Sequence, residues 1–267
     1  MNNSKLKILS APYIIWIAAF IIVPLIIVFY YGLTNSAGSF TFENVAAIAK
    51  PEYVKALFLS ILLAFLATVI CLLLAYPLAL ILKSFNMNKS SFVIFIFVLP
   101  MWMNFLLRTY AWKTLLSRNG LFDVLFNINI LNTPYAILLG MVYDFLPFMI
   151  LPIYNILMKI EKDTIDAARD LGANYFQTLR KIIIPQSLPG IISGIIMVFV
   201  PSLTTFVISE ILGGRKFLLI GDVIERQFMQ TYNWNLGSGL SLVLMVFILL
   251  YMALTAKFDK SEGADLI

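Results

Sequence analysis

Residues 161–185 read EKDTIDAARDLGANYFQTLRKIIIP, the longest charged segment of a chain that is otherwise strongly apolar. Charged residues make up 12% of the sequence and hydrophobic residues 61%, so this segment stands out between two apolar stretches. Asp163 and Asp166 have the spacing of a helix N-cap and its capping-box acid. The segment therefore predicts about two turns of helix over residues 164–171.

The end of this helix and the start of another are also predicted. Gly172 takes the left-handed conformation freely, which suits the residue just after a helix. Asn174 can cap a second short helix that carries Tyr175 and Phe176. The pattern indicates a compact segment with small side chains on its surface. By spacing alone, an ordinary solvated loop also accounts for it.

Apolar runs of about twenty residues recur along the 267-residue chain, whose mean hydropathy is +0.93. Each run can cross about 30 Å of hydrocarbon as a helix. The sequence predicts an all-α integral membrane protein with a single domain over residues 1–267. Six spans are predicted, at approximately 11–33, 57–82, 91–115, 135–158, 187–211 and 237–256.

The composition excludes several kinds of chemistry. The chain has no histidine and one cysteine, Cys71, within an apolar run. Histidine-dependent metal sites and an intrachain disulfide are therefore excluded. No phosphate-binding loop of the Walker type occurs, so we expect neither an ATPase site nor a cofactor in this chain. The run after Lys5 and Lys7 is too long for a signal-peptide core, which predicts an uncleaved first span.

The basic residues predict the orientation of the spans. An even number of spans places both termini on one side, together with residues 161–185. Most Lys and Arg residues fall on that side, which is typical of the cytoplasmic side. We therefore expect both termini to be cytoplasmic. The net charge of +5 is accounted for by these flanking residues, so nucleic-acid binding is not predicted.

The charged segment also contains a spaced motif. Asp166-Ala167-Ala168 is followed after three residues by Gly172, and after nine more by IIIP at 182–185. This resembles the EAA loop of ABC importer permeases, E-A-A, three residues, G, nine residues, I-x-L-P, with Asp for Glu and Ile184 for Leu. In that family the loop is a coupling helix that docks on a separate ATPase. The resemblance implies a type I permease with these ATPase-coupling residues: Asp166, Ala167, Ala168, Arg169, Gly172 and Pro185.

Four further stretches resemble spermidine/putrescine importer permeases, most closely their PotB-type subunits. They are YPLALIL at 76–82, LPMWMNFLLRTY at 99–110, LPFMILPIY at 146–154 and ILGGRKFLLIGDVIERQF at 211–228. The resemblance implies a bacterial inner-membrane heterodimer with a PotC-type permease. It also implies two PotA-type ATPase subunits, which would bind ATP and Mg²⁺, and a periplasmic or extracellular PotD-type binding protein. The chain would perform no chemistry on its substrate.

A path for a polyamine needs carboxylates, carbonyls or aromatic faces. Asp144 is predicted about 15 Å inside the fourth span, and Glu210 near the outer end of the fifth. Arg108 is predicted at a similar depth to Asp144. Asp144 can therefore either contact the substrate or form an ion pair with Arg108, and Glu210 can be a path residue or an ordinary interfacial acid.

Other positions have alternatives too. Trp102, Asn104 and Tyr143 are candidates for a substrate vestibule, or else for packing and the aromatic belt of the membrane. Gly190 and Gly194 form G-x-x-x-G, which permits close packing of helices or reflects the frequency of glycine in spans.

Alternative functions remain open at this point. A permease for sulfate, molybdate or another solute would share the EAA-like loop, although an anion path favours basic residues inside the spans. A secondary transporter usually has internal repeats, and none is found here. A membrane enzyme needs a convergent catalytic set, and the sequence offers none.

Overall fold

The computed structural model describes residues 12–84, 99–127 and 129–259. Within these ranges the regular elements are helices, apart from an isolated bridge between Thr34 and Phe40. In this part of the chain five helices are long and apolar enough to cross a membrane, which confirms the predicted all-α class. They are α1 (Pro12–Gly32), α3 (Pro51–Ser84), α6 (Pro134–Lys159), α8 (Tyr175–Thr204) and α11 (Trp234–Asp259).

Shorter helices connect or flank these spans. They are α2 (Glu43–Ala46), α4 (Phe105–Leu116), α5 (Leu121–Phe126), α7 (Lys162–Asp170), α9 (Val207–Gly213) and α10 (Ile220–Met229).

Two predicted spans differ from the structure. Residues 91–98 of the predicted third span lie outside the described residues, and a continuous helix over the rest is wrong. The chain breaks there because the Asn104 side chain accepts from the amides of Leu106 and Leu107 and caps α4. The fifth span, predicted at 187–211, begins earlier and ends earlier. Thr205 has an extended backbone that separates α8 from α9.

A π-helical turn explains how α8, which begins inside the predicted loop 161–185, continues past Pro185. A proline within a helix removes one amide donor and crowds the preceding turn. A π-helical turn over Leu179–Ile183 ends two residues before Pro185, and another over Ala18–Ile22 ends two residues before Pro24 in α1. Each wider turn lets the helix continue past its proline, so α8 runs unbroken from Tyr175.

The described residues pack in two compact units. One contains the residues up to Lys55 together with Val223–Leu249, and the other contains Ala56–Asp222 together with the residues from Leu250. In the second unit α6 is central, with over half of its most apolar window buried. A Cβ on Gly190 would lie 2.8 Å from the Pro152 carbonyl, and one on Gly194 would lie 2.6 Å from Met149 Sδ. Of the two alternatives for the G-x-x-x-G pair, the structure shows close packing of helices.

Candidate functional site

The segment with the EAA-like motif forms an exposed helix. None of the residues of α7 is buried, and Asp166 forms an exposed ion pair with Arg169 at 3.7 Å. The prediction of Asp163 as the N-cap is wrong. The α6 helix ends at Lys159 and α7 already begins at Lys162, so the N-cap position falls on Glu161. Asp163 then lies in its first turn, and the N-cap Glu161 makes no side-chain capping bond. Acidic residues in the first turn still stabilise a helix through its dipole.

The helix ends as the sequence predicts. Gly172 has φ +86°, and its amide donates to Arg169 O at 2.8 Å. The amide of Ala173 donates to Ala168 O at 3.0 Å, which completes a Schellman motif. Asn174 then forms a capping box with Gln177, with both bonds at 2.9 Å. The positions of Gly172 and Asn174 are thus confirmed as a helix stop and a helix start.

Large apolar side chains are exposed beside α7. Leu171 is 90% exposed and Phe176 is 77% exposed, outside the buried core of the unit. By contrast, the chain on both sides is anchored, since Ile160 and Thr178 are buried. Lys83 donates to Ile160 O at 3.4 Å, and the hydroxyls of Tyr76 and Ser187 lie 3.0 Å apart. The result is a small helix with an apolar rim, held at fixed ends, which suits docking into a groove.

A second candidate region lies at the junction of α4 and α9. It is a cavity of about 410 Å³ that contains three charged side chains, Glu210, Arg215 and Lys113. Arg215 donates through both Nε and Nη2 to Glu210 Oε1, with the Nε distance at 2.9 Å. Lys113 Nζ lies 5.7 Å from the ring centre of Tyr110, which also lines the cavity. Glu210 is therefore held in an ion pair beside a second cation.

The backbone around Gly214 makes this ion pair possible. Gly214 and Arg215 have φ +61° and +60°, so the chain reverses immediately after α9. The reversal brings Arg215 back to Glu210, which lies one turn inside α9. Two successive left-handed residues are uncommon, and only one of them is glycine.

Asp144 forms an ion pair with Arg108. Arg108 Nε lies 3.0 Å from Asp144 Oδ1, and both side chains are less than 10% exposed. The angle is poor for a hydrogen bond, so these two atoms attract each other mainly by charge. Arg108 also donates to Pro100 O at 2.6 Å and lies 6.0 Å from the Tyr143 ring centre. Of the two alternatives for Asp144, the structure shows the ion pair.

The other predicted path residues lie outside the Glu210 cavity. Trp102 is 75% exposed, Asn104 caps α4, and Tyr143 packs edge-on against Trp112 with ring centres 5.2 Å apart. The structure thus places Tyr143 beside Arg108 and Trp112, and it gives Asn104 a structural role as the N-cap of α4. It does not bring Trp102, Asn104, Tyr143 or Asp144 into the lining of the cavity.

Sequence reasoning missed Arg215 and Lys113 as neighbours of Glu210, and it missed Asp222. Asp222 is buried, and its carboxylate accepts from Ser209 Oγ at 2.8 Å and from the Leu219 amide at 2.7 Å. The signal for Asp222 is an acid in the first turn of a helix, where a side chain can reach back to the preceding amide. Among the residues that the structure describes, no group of acidic or cysteine side chains could hold a metal ion.

Comparison with known proteins gives consistent results. Residues 73–262 match the family described as "binding-protein-dependent transport system inner membrane component". The chain is 35% identical to the spermidine/putrescine transport system permease protein PotB of Haemophilus influenzae, over 97% of this chain and 96% of that one. It is 36% identical to PotB of Escherichia coli K12, over 86% of this chain and 89% of that one.

Two solved structures show a similar fold. One is a bacterial alginate ABC transporter in complex with an alginate pentasaccharide-bound periplasmic protein, with a TM-score of 0.81 and 16% identity. That match covers 97% of this chain and 96% of the other. The other structure is the MetNI methionine ABC transporter, with a TM-score of 0.60, 17% identity, and coverage of 79% and 97%. At such identities the likeness concerns the fold alone.

Proposed function

We propose, since this chain belongs to the family of inner-membrane components of binding-protein-dependent transport systems, that it forms half of the path of an ATP-driven polyamine importer. As a permease subunit of an ABC importer it carries solute and hydrolyses no ATP. The observation that carries the proposal is the exposed helix α7, which displays the D-A-A…G motif between two anchored ends. The polyamine specificity is supported by the names of the relatives that are at least 35% identical.

The proposed assembly contains this chain, a PotC-type second permease, two PotA-type ATPase subunits and a PotD-type binding protein. ATP and Mg²⁺ bind to the ATPase subunits. Asp166, Ala167, Ala168, Arg169, Gly172 and Pro185 form the coupling segment. Its small side chains let the backbone of α7 approach a groove closely, and Asp166 and Arg169 fix its register by charge. Because the ATPase is cytosolic, α7 and both termini are on the cytoplasmic side.

Glu210 is the acidic path candidate that lines a cavity. It is the acid in the 410 Å³ cavity, and its partner Arg215 is exposed enough to move away. A polyamine ammonium group would replace Arg215 at the Glu210 carboxylate. Lys113 and Arg215 also make the cavity suitable for an anion, so a sulfate-type solute is the second candidate. Asp144 is already neutralised by Arg108 and contributes no free charge in this conformation.

The coupling role is tested with a matched pair of glycine substitutions. Gly172 and Gly38 both have positive φ, at +86° and +78°, and neither has a neighbour that a Cβ would crowd. Gly172→Trp should abolish co-purification with the ATPase and ATP-driven uptake, because a large side chain blocks close docking. Gly38→Trp adds the same backbone strain elsewhere and should retain both. Equal ATPase recovery with the two variants would refute the coupling role.

The solute is tested by uptake in a strain that lacks this chain. Labelled spermidine, putrescine and sulfate are supplied with and without the complementing chain. We expect uptake of the two polyamines to be restored, with Glu210→Gln weakening it and Glu52→Gln serving as the control. Restoration of sulfate uptake alone would establish the second candidate instead.

A further inference from the structure

A second cavity, separate in its lining from the Glu210 cavity, lies at the C-terminal end of α1. Its volume is about 910 Å³, which is in the range of small-molecule sites. All of its lining residues belong to one compact unit. They come from α1 and the chain just after it, and from the residues around the start of α11: Ile27, Tyr31, Asn35, Ser36, Glu43, Asn44 and 231–235.

The walls of this cavity are held by side-chain amides. Asn44 Nδ2 donates to Thr34 O at 2.8 Å, and Asn235 Nδ2 donates to the same carbonyl at 2.6 Å. Asn235 also donates to Tyr31 O at 3.1 Å, so it satisfies a carbonyl at the end of α1. A Cβ on Gly239 would lie 2.6 Å from the Asn44 backbone, so α11 approaches this loop very closely. These hydrogen bonds and this close packing hold the walls of the cavity in place.

The charge around the cavity favours a cation. Glu43 is the one charged side chain among the described residues that line it. In the described part of the chain no Lys or Arg forms an ion pair with Glu43. The C-terminal end of α1, where the helix dipole is negative, opens on the same space. None of the described lining residues therefore carries a positive charge that neutralises the carboxylate.

Aromatic rings supply the second feature that organic cations need. The rings of Tyr31 and Trp234 have centres 6.2 Å apart, and Phe228 packs edge-on against Trp234 at 5.6 Å. Tyr232 adds a third ring to the lining, although its φ of +53° is rare for a bulky residue. Ring faces attract ammonium groups, and Ile27 offers an apolar surface to an attached alkyl chain.

We propose that this cavity binds an organic primary ammonium group. The Glu43 carboxylate forms the ion pair, and the Tyr31 and Trp234 rings contact the cation and the adjoining methylene groups. A free polyamine and the headgroup of phosphatidylethanolamine both carry such a group. The site is distinct from the proposed path residue Glu210, and it stands whether or not the chain transports polyamines.

The test uses the purified full chain in nanodiscs, with labelled spermidine as one probe and phosphatidylethanolamine as the other. In nanodiscs of phosphatidylcholine alone, spermidine binding is measured by equilibrium dialysis. Lipid retention is measured by native mass spectrometry after reconstitution in an equal mixture of the two lipids. Glu43→Gln should weaken the binding of whichever probe the cavity recognises by about fivefold, since it removes one partly exposed ion pair. Trp234→Leu should weaken it about threefold or more, since it removes the cation–π contact.

Two controls make the outcome decisive. Glu52→Gln removes a carboxylate outside the cavity, and Tyr31→Phe keeps the ring. Both should bind as the unaltered chain does. If the binding of spermidine depends on Glu43, the ligand of this cavity is a free polyamine. If the retention of phosphatidylethanolamine depends on Glu43, the ligand is the lipid headgroup. If Glu43→Gln changes neither probe while the chain remains folded, the proposed site does not exist.

Discussion

Replacing Arg108 by methionine should cost the chain about 3–5 kcal/mol of stability, because it leaves Asp144 as an unpaired buried charge. Asp144 is 2% exposed, and its described charged partner is Arg108 at 3.0 Å. The same substitution also removes the donor to Pro100 O at 2.6 Å, which adds about 1 kcal/mol. Asp144→Leu should cost about 3 kcal/mol, the lower end of that range, because Arg108 keeps its bond to Pro100.

The double variant Arg108→Met/Asp144→Leu is the informative one. Removing both charges leaves no buried ion, and such replacements are often nearly neutral. Its loss should therefore be at least about 2 kcal/mol smaller than the sum of the single variants. Stability is measured by the tryptophan fluorescence of the detergent-purified chain during SDS-induced unfolding. Additive losses, or an Arg108→Met variant within about 1 kcal/mol of the unaltered chain, would refute the ion-pair argument.

The same variant separates the two roles of Asp144. If the residue serves only its ion pair, the double variant transports spermidine with unchanged KM. A stable double variant that has lost uptake would instead show that Asp144 contacts the solute.

Three further predictions concern the coupling segment and its supports. Lys83→Met should lower coupled uptake by several-fold while the chain still folds, because it removes the hydrogen bond to the Ile160 carbonyl just before α7. The ratio of solute imported to ATP hydrolysed measures this effect, and an unchanged ratio would exclude a role for the contact. Asn174→Ala should destabilise the start of α8 by about 1 kcal/mol, which amide exchange of the Gln177 region would report as faster local opening; unchanged exchange would show that the cap contributes nothing. Gly194→Val should cost about 1–3 kcal/mol by overpacking against Met149, measured by SDS unfolding, and a neutral result would mean that α6 and α8 can separate freely.

The sequence was sufficient to predict those helix ends whose hydrogen bonds join residues close together in the chain. Gly172 and Asn174 end and begin helices through bonds to residues within five positions, so their sequence context determines them. Close packing at the G-x-x-x-G pair could be offered only as one alternative, because small side chains permit it but glycine is also frequent in spans. Asp163 was misjudged as an N-cap, since the start of α7 depends on where the chain leaves the buried end of α6.

Other features depend on the path of the backbone. The breaks at Asn104 and Thr205 lie in apolar sequence, where hydropathy alone does not distinguish one helix from two. The ion pair of Glu210 with Arg215 requires the left-handed backbone at Gly214 and Arg215, which adjacent glycines allow but do not demand. Pairing across elements, as for Arg108 and Asp144, could be offered only as one alternative.

The unbroken course of α8 has a mechanical consequence. Its 30 residues form a rod about 45 Å long, with one end beside α7 and the other at the break before α9. A tilt of about 5° about the α7 end would displace the far end by about 4 Å, roughly one residue spacing along an extended chain. Thr205 and Phe206, the two non-helical residues between α8 and α9, would then be the hinge, and Glu210 would move with α9 beyond it. A small rotation imposed at the exposed end would thus give a larger displacement at the charged cavity without any unfolding between them.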